Sequence, residues 1–114
     1  HKCDKYYTMQ DDGLSKSWQN EVVFINPPYS DIAKWVEKAF EEAKNNRATV
    51  VMLLPVRSDT KWWHKYVMKS NSLTFIKGRL KFGSATNSAP FPSCVVEIHP
   101  WLSNSPAIFT MDNK

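Results

Sequence analysis

Asn26-Pro27-Pro28-Tyr29 is the stretch of this chain whose residue types and spacing point to chemistry. It follows directly on the apolar run Val22-Val23-Phe24-Ile25. At average composition such a tetrapeptide arises by chance in roughly one chain of this length in several thousand. The chemistry it suits is methyl transfer to an exocyclic amino nitrogen. The lone pair of an adenine N6 is delocalised into the ring, so the nitrogen is a poor nucleophile. Two acceptors aimed at its hydrogens draw the nitrogen toward tetrahedral geometry and return electron density to it. The Asn26 side-chain oxygen and the Pro27 backbone carbonyl are the candidate acceptors. Proline fixes φ and has no N–H, so Pro27 and Pro28 stiffen the loop and leave carbonyls to face a substrate. Tyr29 offers a flat π-face on which an extruded base can stack. The plainer reading of the same residues is a rigid strand-to-helix turn with a buried tyrosine.

Elements on either side must position this string. Val22–Ile25 reads as a strand buried on both faces, as in a parallel sheet. Ser30 or Asp31 is placed to cap a following helix. Ile32, Trp35, Val36, Ala39, Phe40 and Ala43 keep helical spacing, with Lys34, Glu37, Lys38, Glu41 and Glu42 on the other face. Asn45-Asn46 ends that helix. Thr49–Leu54 reads as a second buried strand stopped by Pro55, and Asp59 or Thr60 as the cap of a short helix to about Met68. Leu73–Lys77 is a third strand, residues 78–92 a long loop, and Ser93–His99 a fourth strand. Pro106–Met111 is a short edge strand or a tail, and residues 1–20 read as polar and irregular. This order predicts a parallel sheet with crossover helices and a late antiparallel addition. The candidate string then sits at the C-terminal end of a strand, where open α/β sheets bind ligands. Residues 1–114 read as one domain, and because three parallel strands are too few for a two-sided sheet it reads as the second half of a larger α/β unit; no glycine-rich cofactor turn occurs.

Composition sets the class. The 114 residues are 42% hydrophobic and 13% aromatic, which excludes a disordered chain. Fifteen Lys and Arg against eleven Asp and Glu give +4, a balance compatible with nucleic acid. Cys3 and Cys94 form neither a metal spacing nor a disulfide framework, so a reducing cytoplasm is the expected setting and no metal is expected. No apolar run reaches membrane-spanning length, so no membrane partner is expected. The chain opens without Met, as a fragment or a processed product would.

Four segments together resemble one family. They are Asp12-Gly13-Leu14 with Trp18, Phe24 to Tyr29, Val50 to His64, and Gly78 to Gly83 followed by Ala89 to Ser93. Over roughly residues 3–98 the chain resembles the phage-type DNA N6-adenine methyltransferases, the Dam family of phage origin. The resemblance implies a Rossmann-like S-adenosylmethionine-dependent methyltransferase fold, here its C-terminal part, with a mostly parallel sheet and an antiparallel last strand. It implies S-adenosylmethionine as methyl donor and adenine in DNA as acceptor. It implies catalytic roles for Asn26, Pro27, Pro28 and Tyr29, and donor contacts from Asn26. Asp12 matches the family's acidic position and reads as a donor contact or as a plain turn residue. In that family a strand ending in an Asp-Ala-Ala-like turn precedes the segment where this chain begins, so the cofactor-binding portion is expected to lie outside these residues. A phage-encoded enzyme would work in the host cytoplasm.

Further residues are candidates for the DNA interface. Arg57 follows the second strand and would meet a phosphate or a donor carboxylate. Lys61 joins it as a phosphate contact. Arg79 and Lys81 flank the long loop and point the same way on an alternating strand. Each is equally readable as a solvated surface charge. Asn87 and Ser88 are placed to read base edges. Of Trp62 and Trp63 at most one can face inward, and the other is left to pack on the sheet or stack on a base. His64 is not needed as a base, because the amine sheds its proton to water. Two rival readings stand beside methylation of DNA. One is methylation of RNA or of protein glutamine. The other is a non-catalytic remnant that binds nucleic acid or a partner. A half-sheet with an open edge also predicts a homodimer or a further covering segment.

Overall fold

The computed structural model describes residues 5–7, 14, 16–78, 91–101 and 105–112, with the backbone alone at 5–7 and 29. Its strands are β1 (Lys5–Tyr7), β2 (Val22–Ile25), β3 (Thr49–Pro55), β4 (Ser72–Lys77), β5 (Ser93–Ile98) and β6 (Ala107–Asp112). Its helices are α1 (Ile32–Asn46) and α2 (Lys61–Lys65), with 3-10 turns at Tyr29–Asp31 and Val67–Lys69.

The strands form one sheet in the order β1-β2-β3-β5-β4-β6. β1, β2 and β3 pair parallel, β5 runs antiparallel to both β3 and β4, and β6 pairs parallel with β4. The sheet is therefore mixed, which corrects the mostly parallel sheet with a reversed last strand. The reversed strand β5 lies inside the sheet, and the last strand, β6, runs with β4 at the edge. The physical reason is the connection. A crossover helix such as α1 returns the chain to a parallel start, whereas residues 78–92 contribute no helix among the described residues and β5 follows β4 in reverse. β1 is a strand within the stretch read as irregular, and its pairing to Val23–Ile25 needs a partner that local polarity does not reveal.

Burial follows the pleat. In β3 Val50, Met52 and Leu54 are fully buried, while Val51 and Leu53 are half-buried. β2 repeats this with Val23 and Ile25 against Val22 and Phe24. The expectation of strands buried on both faces is thus corrected: one face carries the core and the other is half-covered among the described residues. The core face packs with Ile32, Trp35, Val36, Ala39 and Ala43 of α1, with Trp63 of α2, and with Trp18. At about 25 cal/mol per Å² of apolar surface, each such large side chain contributes on the order of 2 kcal/mol.

α1 starts without a side-chain cap, contrary to the expected Ser30 or Asp31. The 3-10 turn replaces it, with the Asp31 N–H donating to the Pro28 carbonyl at 3.0 Å. α1 ends where Arg47 takes φ 59° and ψ 32°, its N–H returning to the Glu42 carbonyl. A left-handed closing residue is usually glycine, so an arginine there carries a steric cost. Glu42 is a correction to the polar face expected for α1: it is buried beneath Trp18. β6 is an edge strand, and all six of its residues are exposed, including Ile108, Phe109 and Met111. Among the described residues no helix is long and apolar enough to cross a membrane.

Candidate functional site

The ends of the strands define one edge. β2, β3 and β4 run in the same direction and β5 in reverse, so Ile25, Pro55, Lys77 and Ser93 all lie at one edge of the sheet. Asn26, Pro27 and Pro28 leave β2 there without further regular structure. Pro27 is buried, and Asn26 and Pro28 are half-buried. Pro28 has φ −65° and ψ 143°, an extended setting that proline's ring favours. Its carbonyl is committed to the Asp31 N–H. Among the described residues no backbone N–H bonds the Pro27 carbonyl, and no side-chain hydrogen bond engages the Asn26 carboxamide. The two prolines thus do different work. Pro28 closes the turn into α1, and the Pro27 carbonyl, beside Asn26, has no backbone partner among the described residues.

Arg57 leaves β3 at the same edge. Its guanidinium lies over the Phe91 ring at 5.9 Å, a cation–π distance. The Val56 N–H donates to the Pro92 carbonyl at 2.9 Å, which ties the end of the long loop to β3. Thr60 rather than Asp59 caps α2, accepting from the Trp63 N–H at 3.4 Å. The Thr60 hydroxyl also donates to the Arg57 carbonyl at 2.7 Å. Asp59 is exposed, and the α-helix stops at Lys65, short of Met68, which falls in the following 3-10 turn. The His64 ring sits 2.7 Å from the Ser58 carbonyl, which fits a polar helix residue bracing its own loop. Trp63 is buried and Trp62 half-buried, so one of the pair faces inward. Lys61 is exposed at the start of α2.

The fold thus brings Asn26, Pro27, Pro28, Arg57 and Lys61 to one edge. Asp12, Arg79, Lys81, Asn87 and Ser88 lie outside the described residues. Two structural supports escaped the sequence reading. Trp18 is fully buried and stacked on Trp35 at 6.3 Å, and Glu42 anchors its backbone. The available signals were an aromatic residue in a polar stretch and the place of Trp18 in a family motif. Burial pushes the Glu42 carboxyl up, but the Trp18 amide, Lys38 and Asn46 together hold it below the usual glutamate range.

All of residues 1–114 match the sequence profile of the family described as DNA N-6-adenine-methyltransferase (Dam). The chain is similar to the DNA N-6-adenine-methyltransferase of Haemophilus phage HP1 (strain HP1c1), at 30% identity over 105 residues, which is 87% of this chain and 61% of that protein. It is also similar to the DNA N-6-adenine-methyltransferase of Escherichia phage T1, at 32% identity over 79 residues, which is 68% of this chain and 33% of that protein. The chain therefore spans less than two thirds of the length of either relative. With a profile match from end to end, the chain belongs to the DNA N-6-adenine-methyltransferase (Dam) family.

Proposed function

We propose that this chain carries the acceptor side of a DNA N6-adenine methyltransferase with a Rossmann-like fold. The observation that carries the reading is a pair of acceptors adjacent at a strand end, the Asn26 carboxamide and the Pro27 carbonyl, neither of them engaged among the described residues. A target adenine extruded from DNA stacks on Tyr29 and presents its N6 hydrogens to these two acceptors. They draw density onto N6 and fix its direction of attack, so the catalytic effect is positioning plus electrostatics. The proton on N6 leaves to water, and His64, occupied with the Ser58 carbonyl, has no part in the step. Arg57, Lys61, Arg79 and Lys81 serve as phosphate contacts, and Arg57 is already oriented by Phe91.

The donor in this reading is S-adenosylmethionine, whose sulfonium supplies an electrophilic methyl group when bound. Asn26 and Asp12 would hold it. The half-buried Asn26, with a carboxamide that no described residue engages, fits such a polar contact.

Asn26→Ala tests the reading. Transfer of labelled methyl groups to DNA should fall at least a hundredfold, with an unchanged circular dichroism spectrum, because one preorganised polar group at the reacting centre is worth about 10²–10³ in rate. Methylation at the wild-type rate by a folded Asn26→Ala protein would sink it.

A further inference from the structure

We propose that the hollow between α1 and α2 is a second DNA contact, which holds an unpaired nucleotide next to the target base. This rests on the DNA-methylating reading above, which already gives Lys61 a phosphate contact, and extends it to Lys34, Trp62 and Lys65. The hollow is lined by Ala33, Lys34 and Glu37 of α1 and by Lys61, Trp62, Lys65 and Tyr66 at α2. Both walls belong to the candidate edge. The first turns of α1 follow Asn26-Pro27-Pro28, and α2 follows Arg57. A strand engaged by Asn26 therefore has the hollow beside it.

The lining has the make-up that single-stranded nucleic acid requires: cations for the backbone and an aromatic plane for a base. Lys34, Lys61 and Lys65 bring three positive charges against the single negative charge of Glu37. Lys34, Lys61 and Lys65 are all exposed, so their ammonium groups can reach phosphate oxygens. The two aromatic residues differ in availability. Tyr66 is spoken for: its ring packs on Phe40 at 5.2 Å and under the Lys65 ammonium at 5.3 Å, and its hydroxyl donates to Glu37 at 3.2 Å. Trp62 meets Trp63 edge-on at 6.0 Å and is half-buried, which braces the indole while part of it reaches the surface. At about 280 Å³ the hollow falls short of a drug-sized or cofactor pocket, and it suits a single nucleotide passing through. Glu37, held by Tyr66, keeps phosphate away from that wall and turns the backbone toward the lysines.

A second basic and aromatic hollow, of Lys44, Arg47, Pro100 and Trp101, is a weaker candidate. It lies where α1 ends and β5 ends, at the opposite edge of the sheet from Asn26.

The test is binding of fluorescently labelled single-stranded and duplex oligonucleotides by the whole chain, followed by anisotropy across a salt series. Trp62→Ala should weaken single-strand binding about tenfold, Trp62→Phe should restore most of it, and duplex binding should change less, since paired bases offer no free face. Lys34→Ala with Lys65→Ala should lower the salt slope for single strands by about 1.4, or 0.7 for each phosphate released. Circular dichroism of each variant separates lost contacts from lost folding, and the phenylalanine variant keeps the core filled. Wild-type affinity and salt slope in both Trp62→Ala and the double lysine variant would overturn this inference alone. If the wild-type chain bound no DNA of either kind, the methyltransferase reading would fall with it.

Discussion

The Glu42 carboxylate accepts a hydrogen bond from the Trp18 backbone N–H at 2.7 Å. Its other oxygen receives the Lys38 ammonium at 3.0 Å, and the same ammonium donates to the Lys16 carbonyl at 2.6 Å. Lys38 also lies 5.4 Å from the Trp18 ring. A segment without regular structure is thereby fixed onto α1, with its indole in the core. The carboxyl of Glu42 is held below its ordinary range, so its contribution is complete above the unfolded value, about 4.3, and disappears as pH falls through the lower folded value. Acid unfolding should show the loss: the urea midpoint of the wild-type chain should decline below about pH 4, while Glu42→Gln flattens that decline. At pH 7 Glu42→Ala should cost about 2–3 kcal/mol, the worth of a charge-assisted hydrogen bond. Equal midpoints for wild type and Glu42→Ala at pH 7 would contradict the anchoring role.

Tyr29 is expected to act through its ring and not its hydroxyl. Tyr29→Phe should retain most methyl transfer to DNA. Tyr29→Ala should lower kcat/KM about ten- to hundredfold, in line with ~1–3 kcal/mol for a stacked base. Steady-state kinetics on an oligonucleotide containing adenine would decide, and an equal loss in both variants would point to the hydroxyl instead.

Thr60 and Asp59 are neighbours with unequal work. Thr60 bonds the Trp63 N–H and the Arg57 carbonyl, whereas Asp59 is exposed. Thr60→Ala should therefore destabilise the fold by about 1 kcal/mol, and Asp59→Ala by less than about 0.5. Denaturant titration of the two variants checks the ranking. A larger loss in Asp59→Ala would mean the cap is misassigned.

Cys94 is buried in β5, opposite Leu54 of β3 and Phe75 of β4. Burial pushes its thiol up to about 12. In the unfolded chain the thiol ionises near 8.5. Stability is therefore indifferent to this group below about pH 8.5 and falls as pH rises from there toward the folded value. In a Cys3→Ser background, alkylation of native Cys94 at pH 8 should run at least a hundredfold slower than in urea, since a buried, protonated thiol is inert. Rapid native labelling would show that β5 opens readily.

The opening string, the helix that follows it and strands β2 to β5 were legible because each is encoded locally. Proline removes a donor, apolar residues recur every three to four positions in α1, and continuous apolar runs mark β2 and β3. The family was legible too, since four motifs in one order are a property of the chain and need no coordinates. What sequence alone left open depends on partners distant along the chain. β1 is a strand only because Val23–Ile25 lie beside it, and Trp18 is core only because Glu42 and Trp35 receive it. β5 sits between β3 and β4 because pairing is settled by the packing of whole strands, which no run of residues records. The difference between Pro27 and Pro28 is of the same kind. Both read alike as prolines, and only the turn into α1 commits the Pro28 carbonyl, while that of Pro27 has no backbone partner among the described residues.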